Sequence, residues 1–110
     1  MNVVILSGRV GQPLTRKGNV GEFTLATTER EKDEKGNYVN VPEWHTIKVF
    51  GEQYCNAAEE YFTKGACLNI QGRIKTERWT KDGQAHSMTK IYMHSWEFAP
   101  STGRKGEEEA

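Results

Sequence analysis

Aromatic and basic side chains share one side of the stretch from Trp44 to Phe50. Alternate residues of an extended strand point to opposite sides, so Trp44, Lys48 and Phe50 lie together while Ile47 and Val49 lie opposite. Exposed rings stack on unstacked bases and a lysine reaches a phosphate, so this pattern favours a nucleic-acid surface. A second buried face, such as a sheet-to-sheet or subunit contact, accounts for the same pattern, and the stretch alone leaves both interpretations open.

A similar row of side chains follows in the predicted strand that begins at Ala66. Its outward positions include Arg73, Lys75 and Trp79, and the acidic Glu77 interrupts the basic series. Basic and aromatic groups therefore share a wet face here as well, which again favours contact with nucleic acid.

A polar run over residues 29–40, with Gly36 near its middle, predicts a long hairpin loop. Arg30, Lys32 and Lys35 give this run positive charge among several glutamates. The run is interpreted either as a solvated hairpin or as a loop whose three cations wrap around DNA.

The sequence gives little support to an enzyme or a metalloprotein. The three histidines, at positions 45, 86 and 94, have no metal-ligand spacing, and no phosphate-binding loop or nucleophile motif occurs. Cys55 and Cys67 are far apart in sequence and predict two reduced, structural thiols. We therefore predict no catalytic residue, no metal and no cofactor.

Composition limits the class of partner and the location. The 110 residues include 15 basic and 15 acidic side chains, so any nucleic-acid site depends on the local placement of cations and rings. The longest apolar run near the start, Val3 to Leu6, is too short for a signal-peptide core, and no membrane segment is present. These features predict a cytoplasmic protein that does not contact membranes.

Hydrophobic periodicity divides the chain into five predicted strands and one helix. The strands cover Asn2–Val10, Gly21–Thr27, Trp44–Phe50, Ala66–Trp79 and Ser87–Phe98, with a loop over Gly11–Asn19 and a helix over Glu52–Thr63. This order predicts an all-β fold with one short helix, namely a five-stranded OB-fold barrel with the helix between strands 3 and 4.

The same alternation predicts the core and the boundaries of the domain. The inward residues are Phe23, Leu25, Ile47, Val49, Leu68, Ile70, Ile74, Ile91 and Met93. The barrel is predicted to occupy residues 1–99, and residues 100–110 lack apolar periodicity and predict a short disordered tail with an acidic end. Asp82-Gly83 predicts a tight hairpin turn between the last two strands, because this pair accepts positive φ.

Several blocks of the sequence, in order and over most of its length, match one family. They are Asn2 to Gly11, Phe23 to Ala26, Glu43 to His45, Phe50-Gly51, Ala58-Glu59, Tyr61 to Gly65, Ile70 to Gly72, Thr76 and Trp79-Thr80. Through these blocks the chain resembles the bacterial-type single-stranded DNA-binding proteins over roughly residues 1–98.

The resemblance implies a function and a set of base-stacking residues. Trp44, Phe50 and Trp79 match family positions that stack on DNA bases, and Lys75 matches a position that is usually basic and faces DNA. Lys48 and Arg73 share that wet face in this sequence. The implied function is sequence-independent binding and protection of single-stranded DNA in replication, recombination and repair.

The resemblance also implies an assembly. Family members commonly form homotetramers in which first strands pair across a dimer and dimers then stack, which places Val3 and Ile5 at a subunit interface. His45 matches a histidine near the subunit contact, so a structural role is expected for it.

The sequence departs from the family pattern at two places that matter for partners. Thr28 to Glu31 lacks the aromatic that many members carry there, and the tail lacks the acidic Pro-Phe tip through which members recruit replication and repair enzymes. The alternative prediction is an OB-fold assembly module of a replication complex, with weak or no nucleic-acid binding. The net charge of zero and Glu77 favour it, and the exposed rings on a face with lysines oppose it.

Overall fold

The computed structural model describes residues 1–100 of the chain, and within them six β-strands and one α-helix form. The elements are β1 (Val4–Val10), β2 (Thr15–Lys17), β3 (Val20–Lys32), β4 (Tyr38–Phe50), α1 (Glu52–Tyr61), β5 (Cys67–Lys81) and β6 (Gln84–Phe98).

Five of the strands close into a barrel, as the sequence predicts. The strand order is β1-β5-β6-β4-β3, β1 pairs with β3 to close the ring, and β4 runs parallel to β6. Gly8 allows this closure, since a Cβ built there would lie 2.2 Å from the carbonyl oxygen of Ala26. The helix lies between β4 and β5, which are the third and fourth strands of the barrel, so the OB-fold prediction is confirmed.

The predicted inward residues of the barrel strands are buried, with one exception. Ile47, Val49, Leu25 and Leu68 have no solvent exposure, and Ile91 and Met93 are nearly covered. Helix α1 adds Cys55 and Ala58 to this core, and Phe62, which follows the helix, packs edge-on against Phe23 with ring centroids 4.9 Å apart.

The exception is Ile74, which was predicted to be inward and is 47% exposed. Alternation gives its side correctly, but the pairing of β1 with β5 ends at the buried Gly72, opposite Val4, and β5 continues beyond this point paired only with β6, with which it forms a two-stranded ribbon. A residue on the inner side of a strand is buried only while another layer covers it, and this covering ends near Gly72.

A β-bulge in β6 changes which side its last residues face. Gln71 pairs with Ser95 and Gly72 pairs with Met93, so His94 has no partner residue in the ladder. The extra residue turns Trp96 to the inner side, where its ring meets Phe62 edge-on at 4.9 Å. Without the bulge, alternation from Met93 would place Trp96 on the outer side.

Two predicted loops contain strand residues. The loop over residues 11–19 contains β2, which pairs with β3. The long loop over residues 29–40 reduces to a turn between Lys32 and Tyr38, because β3 and β4 continue as a paired hairpin arm. The Asp33 carboxylate accepts the backbone N–H groups of Lys35 and Asn37, which stabilises this short turn.

The remaining boundaries agree closely with the sequence predictions. Asp82 and Gly83 form the β5–β6 turn with φ values of 54° and 77°, as predicted. Helix α1 ends at Tyr61, two residues before its predicted end. No helix within residues 1–100 is both long and apolar enough to cross a membrane. The predicted tail, apart from Pro100, lies outside the described residues.

Candidate nucleic-acid interface

Cross-strand register places the side chains of four strands on one outer face. Lys48 of β4 is paired with Glu22 of β3 and with Tyr92 of β6, and Tyr92 is paired with Arg73 of β5. Residues directly opposite each other in a sheet point to the same side. We call this surface the outer face; its members are Trp44, Thr46, Lys48, Phe50, Glu22, Lys90, Tyr92, Arg73, Lys75 and Glu77.

The three aromatic residues predicted to stack on bases are all exposed. Trp44 is 60% exposed, Trp79 is 45% exposed and Phe50 is 40% exposed. Trp44 and Phe50 lie on the outer face itself, and Trp79 follows two residues after Glu77 on the β5–β6 ribbon. The structure thus agrees with the outward placement predicted for these rings.

The Trp44 ring lies against the backbone at Gly11. A Cβ built on Gly11 would be 2.2 Å from Cζ3 of Trp44 and 2.9 Å from Oγ1 of Thr24. The position of the ring therefore depends on the missing side chain at Gly11, which the sequence alone did not indicate.

Trp79 is covered on one side by a neighbouring ring. His86, its partner residue on β6, stacks on it with ring centroids 5.6 Å apart and an interplanar angle of 18°. Trp79 is 45% exposed despite this contact, and stacking by His86 restricts the orientation of the indole.

Tyr92 is a further aromatic member of the outer face, in addition to the rings predicted from the sequence. Its ring meets Phe50 edge-on at 4.9 Å, and the Arg73 guanidinium lies 5.2 Å from its centroid. The sequence shows that Tyr92 and Lys90 point to the same side of β6, because they are two residues apart. The position of Tyr92 beside β4 depends on the parallel β4–β6 pairing. Lys75, the other predicted cation of β5 besides Arg73, is exposed and is paired with Lys90.

The hairpin arm of β3 and β4 brings two of its predicted cations to one tyrosine. The Arg30 guanidinium and the Lys32 ammonium lie 4.8 Å and 5.4 Å from the centroid of Tyr38, which is 59% exposed. Lys35 lies apart from this group, in the turn at the tip. The sequence pattern does not identify Tyr38, because residues 29–40 predict a loop, and alternation indicates a shared side only within a strand.

Acidic side chains neutralise the two lysines at the centre of the outer face. The Glu77 carboxylate lies 2.7 Å from Nζ of Lys48 and 2.9 Å from Nζ of Lys90, and it accepts the hydroxyl of Tyr92 at 2.5 Å. Lys90 also contacts the Glu22 carboxylate at 2.5 Å. The side chains of Lys48 and Glu77 are each 21% exposed, so this cluster is partly shielded from water.

These contacts shift the titration of three groups. Hydrogen bonds from Lys48, Tyr92 and Lys90, in that order of importance, lower the pKa of Glu77 from 4.5 to about 2. The hydrogen bond to Glu77 raises the pKa of Tyr92. Burial by itself would lower the pKa of Lys90, but hydrogen bonds to Glu22 and Glu77 outweigh burial and raise it. Glu77 is therefore a stable anion among cations at neutral pH.

The residues predicted at a subunit interface lie away from the lysine cluster. Val3 and Ile5 are 53% and 71% exposed, and β1 leaves part of its edge open because its ladder to β3 joins only Arg9 and Val10 in the described residues. His45 is half-buried, with Nε2 2.9 Å from Oγ1 of Thr27. Their role in assembly stays a prediction.

No group of three His, Cys, Asp or Glu side chains within residues 1–100 is arranged to hold a metal ion. Cys55 is buried and burial raises the pKa of its thiol, while Cys67 is half-buried. Both are free thiols.

An OB-fold barrel with exposed rings and cations along one face defines a class of oligonucleotide-binding proteins. Residues 1–99 match the single-strand binding protein family, and the chain belongs to that family. It is 34% identical over 116 residues to the single-stranded DNA-binding protein of Rhizobium meliloti (strain 1021), covering 97% of this chain and 67% of that protein. The family is one of binding proteins, in agreement with the prediction that the chain is not an enzyme.

Solved structures share the same architecture. The single-strand binding protein of Plasmodium falciparum, in a complex with single-stranded DNA, superposes with a TM-score of 0.79 at 28% identity, covering 91% of this chain and 96% of that one. A deletion mutant of the single-stranded DNA-binding protein from Thermus aquaticus has a TM-score of 0.76 at 23% identity, over 94% of this chain and 53% of that one, and shows the fold.

Proposed function

We propose that this protein binds single-stranded DNA without sequence preference and protects it. The observation that carries the proposal is the outer face, where Trp44 and Phe50 are exposed on a surface that also holds the cations Arg73 and Lys75. Family membership supports it, as does the likeness to a single-strand binding protein solved with its DNA.

The face offers separate contacts for bases and for phosphates. Trp44, Phe50 and Trp79 each take one base, and each stack contributes about 1–3 kcal/mol of binding free energy. Stacking needs only the flat surface of a base, so the binding is independent of sequence. Arg73 and Lys75 lie within the same surface and neutralise phosphates, which makes the affinity fall as salt rises.

The hairpin arm extends the proposed DNA path beyond Trp44. Arg30 and Lys32 flank the exposed ring of Tyr38, and Lys35 lies at the tip of the arm. A ring between two cations can take a base while the cations contact the neighbouring phosphates. Tyr38 thus supplies an aromatic surface on the arm that residues 28–31 lack.

Assembly and partners form a second part of the proposal. The exposed Val3 and Ile5 beside the open edge of β1 support pairing of first strands between two chains, with two such dimers giving a homotetramer. We place the protein on DNA in the cytoplasm during replication, recombination and repair, together with enzymes of those processes. Light scattering on the purified protein tests the assembly, and a monomer at micromolar concentration contradicts it.

Tryptophan fluorescence tests the DNA-binding proposal directly. The chain has three tryptophans, of which Trp44 and Trp79 are exposed while Trp96 is half-buried against Phe62. Titration with a long oligo-thymidine should quench the emission strongly, and duplex DNA of equal length should not. A variant that keeps only Trp96, with Trp44→Phe and Trp79→Phe, is the control and should lose most of the quenching.

The same titration distinguishes the alternative function. The pairing of Lys48 with Glu77 removes positive charge from the middle of the face, which favours a surface that binds a protein in a replication complex. Absence of quenching by both ligands would exclude the single-strand proposal and support this assembly role.

A further inference from the structure

The two lysines nearest the centre of the outer face already have an anionic partner. Glu77 bridges Nζ of Lys48 at 2.7 Å and Nζ of Lys90 at 2.9 Å. A DNA phosphate that approaches these ammonium groups meets a carboxylate that already occupies their favourable positions. The carboxylate has the same charge sign and the same hydrogen-bonding needs as a phosphate oxygen.

We propose that Glu77 competes with DNA phosphates for Lys48 and Lys90, and so limits both the affinity and the salt dependence of single-strand binding. The proposal deepens the proposed function and rests on it. In the absence of Glu77, DNA would gain one or two further phosphate contacts at the centre of its path.

Glu77 is placed for this competition better than the other acidic residue of the cluster. Glu22 contacts Lys90 at 2.5 Å, whereas Glu77 contacts both lysines and also accepts the hydroxyl of Tyr92. Tyr92 and Phe50 meet edge-on directly beside this site, so a strand stacked on Phe50 carries its phosphates close to the same ammonium groups.

A purely structural role for Glu77 predicts the opposite effect. Glu77 lies on β5 at the base of the ribbon and its ion pair with Lys48 joins the ribbon to β4 of the barrel. If this pair only positioned the ribbon or the lysines, removing the carboxylate would disorder the site and weaken DNA binding. The sign of the change therefore separates competition from positioning.

The test compares wild type with Glu77→Gln in oligo-thymidine titrations from 50 mM to 1 M salt. Each phosphate gained on a single strand steepens the slope of log K against log salt by about 0.7, so Glu77→Gln should steepen it by about 0.7–1.4. One gained contact corresponds to roughly eightfold tighter binding at 50 mM salt. The DNA affinities of the two proteins should become equal at about 1 M salt. Glu60→Gln, which removes the same charge from an exposed position of α1, should change neither quantity.

Three further measurements locate the effect. Lys48→Met should reduce the gain when combined with Glu77→Gln, since one of the two lysines that Glu77 contacts is then absent. An oligonucleotide with an uncharged methylphosphonate backbone should bind both proteins equally. Glu77→Ala, which removes the hydrogen-bonding group altogether, should change affinity in the same direction as Glu77→Gln.

The outcomes also separate this proposal from the proposed function. If wild type binds oligo-thymidine and Glu77→Gln binds it equally or more weakly, only the competition is excluded. If neither protein binds at any salt concentration, the DNA-binding function and the competition both fail. Tighter, more salt-dependent binding by Glu77→Gln but not by Glu60→Gln would establish the competition.

Discussion

Substitution of Gly11 by alanine tests whether the position of Trp44 determines DNA affinity. The added Cβ would lie 2.2 Å from Cζ3 of Trp44, where ordinary contacts are 3.4–4 Å. The indole must therefore move by more than about 1 Å, because the backbone at Gly11 also hydrogen-bonds to Thr24 and has less freedom than the exposed ring.

The expected loss of DNA affinity equals the contribution of one base stacked on Trp44. A base stacked on an aromatic side chain contributes about 1–3 kcal/mol, so complete loss of the Trp44 platform weakens binding about 5- to 150-fold. We expect Gly11→Ala to weaken binding at least fivefold. Trp44 is 60% exposed and contributes little to the core, so the free energy of unfolding should fall by less than about 1 kcal/mol.

A double-mutant cycle in oligo-thymidine titrations provides the assay. In a Trp44→Ala background, Gly11→Ala should have almost no further effect on affinity, because the displaced ring is already absent. Trp44→Phe has a smaller ring and should tolerate Gly11→Ala better than wild type does. Equal losses from Gly11→Ala with and without the indole would refute the reasoning, as would unchanged affinity in the single variant.

Three other predictions concern the ribbon, the ion cluster and the barrel. Trp79→Ala should cost about 1–3 kcal/mol of DNA binding and Lys48→Ala less than about 1 kcal/mol, because Lys48 is already neutralised; the reverse order in titrations would mean that charge dominates. Glu77→Gln should lower the free energy of unfolding at neutral pH by about 1–2 kcal/mol, since screening reduces the value implied by the depressed pKa. Folding lowers the pKa of Glu77 from 4.5 to about 2, so the extra stability of wild type is present above pH 4.5 and disappears as the pH falls to about 2. A difference in the free energy of unfolding that stays constant over this pH range in urea denaturation would contradict a stabilising role of the ionised Glu77. Gly72→Ala should destabilise the barrel by about 1–3 kcal/mol, as its Cβ would lie 2.2 Å from the Tyr92 carbonyl oxygen, and an unchanged melting temperature would argue against that contact.

The side to which most barrel residues point was predictable from the sequence. The alternation of Trp44 and Phe50 with Ile47 and Val49 is a local property of an extended chain, and it survives in β4. The helix after Gly51 and the turn at Asp82 were also predictable, because their signals are short and local.

Features that depend on other strands were not predictable in this way. The bulge at His94 and the end of the covered core near Gly72 arise from how β5 and β6 meet the rest of the barrel. Short strand β2 needs β3 as its partner and carries no periodic signal of its own.

The electrostatic centre of the site shows the same limit. Glu77 appeared in the sequence as an interruption of a basic row. Its contact with Lys48, 29 positions away, becomes visible only when β4 and β5 are placed on either side of β6. Sequence alternation identifies which side chains share a face, and the register between strands decides which of them touch.

Trp79 is carried near the end of a ribbon that has no core of its own. It lies seven residues beyond Gly72, about 23 Å along the strand, and the flanking residues of both strands are largely exposed. Isolated two-stranded ribbons are marginally stable, so this segment opens at lower free energy than the barrel and its amides should exchange with solvent faster. DNA that stacks on Trp79 must hold the ribbon closed, and part of the binding free energy is used for that ordering. A cross-link that rigidified the ribbon would therefore tighten binding without adding a single contact to the DNA.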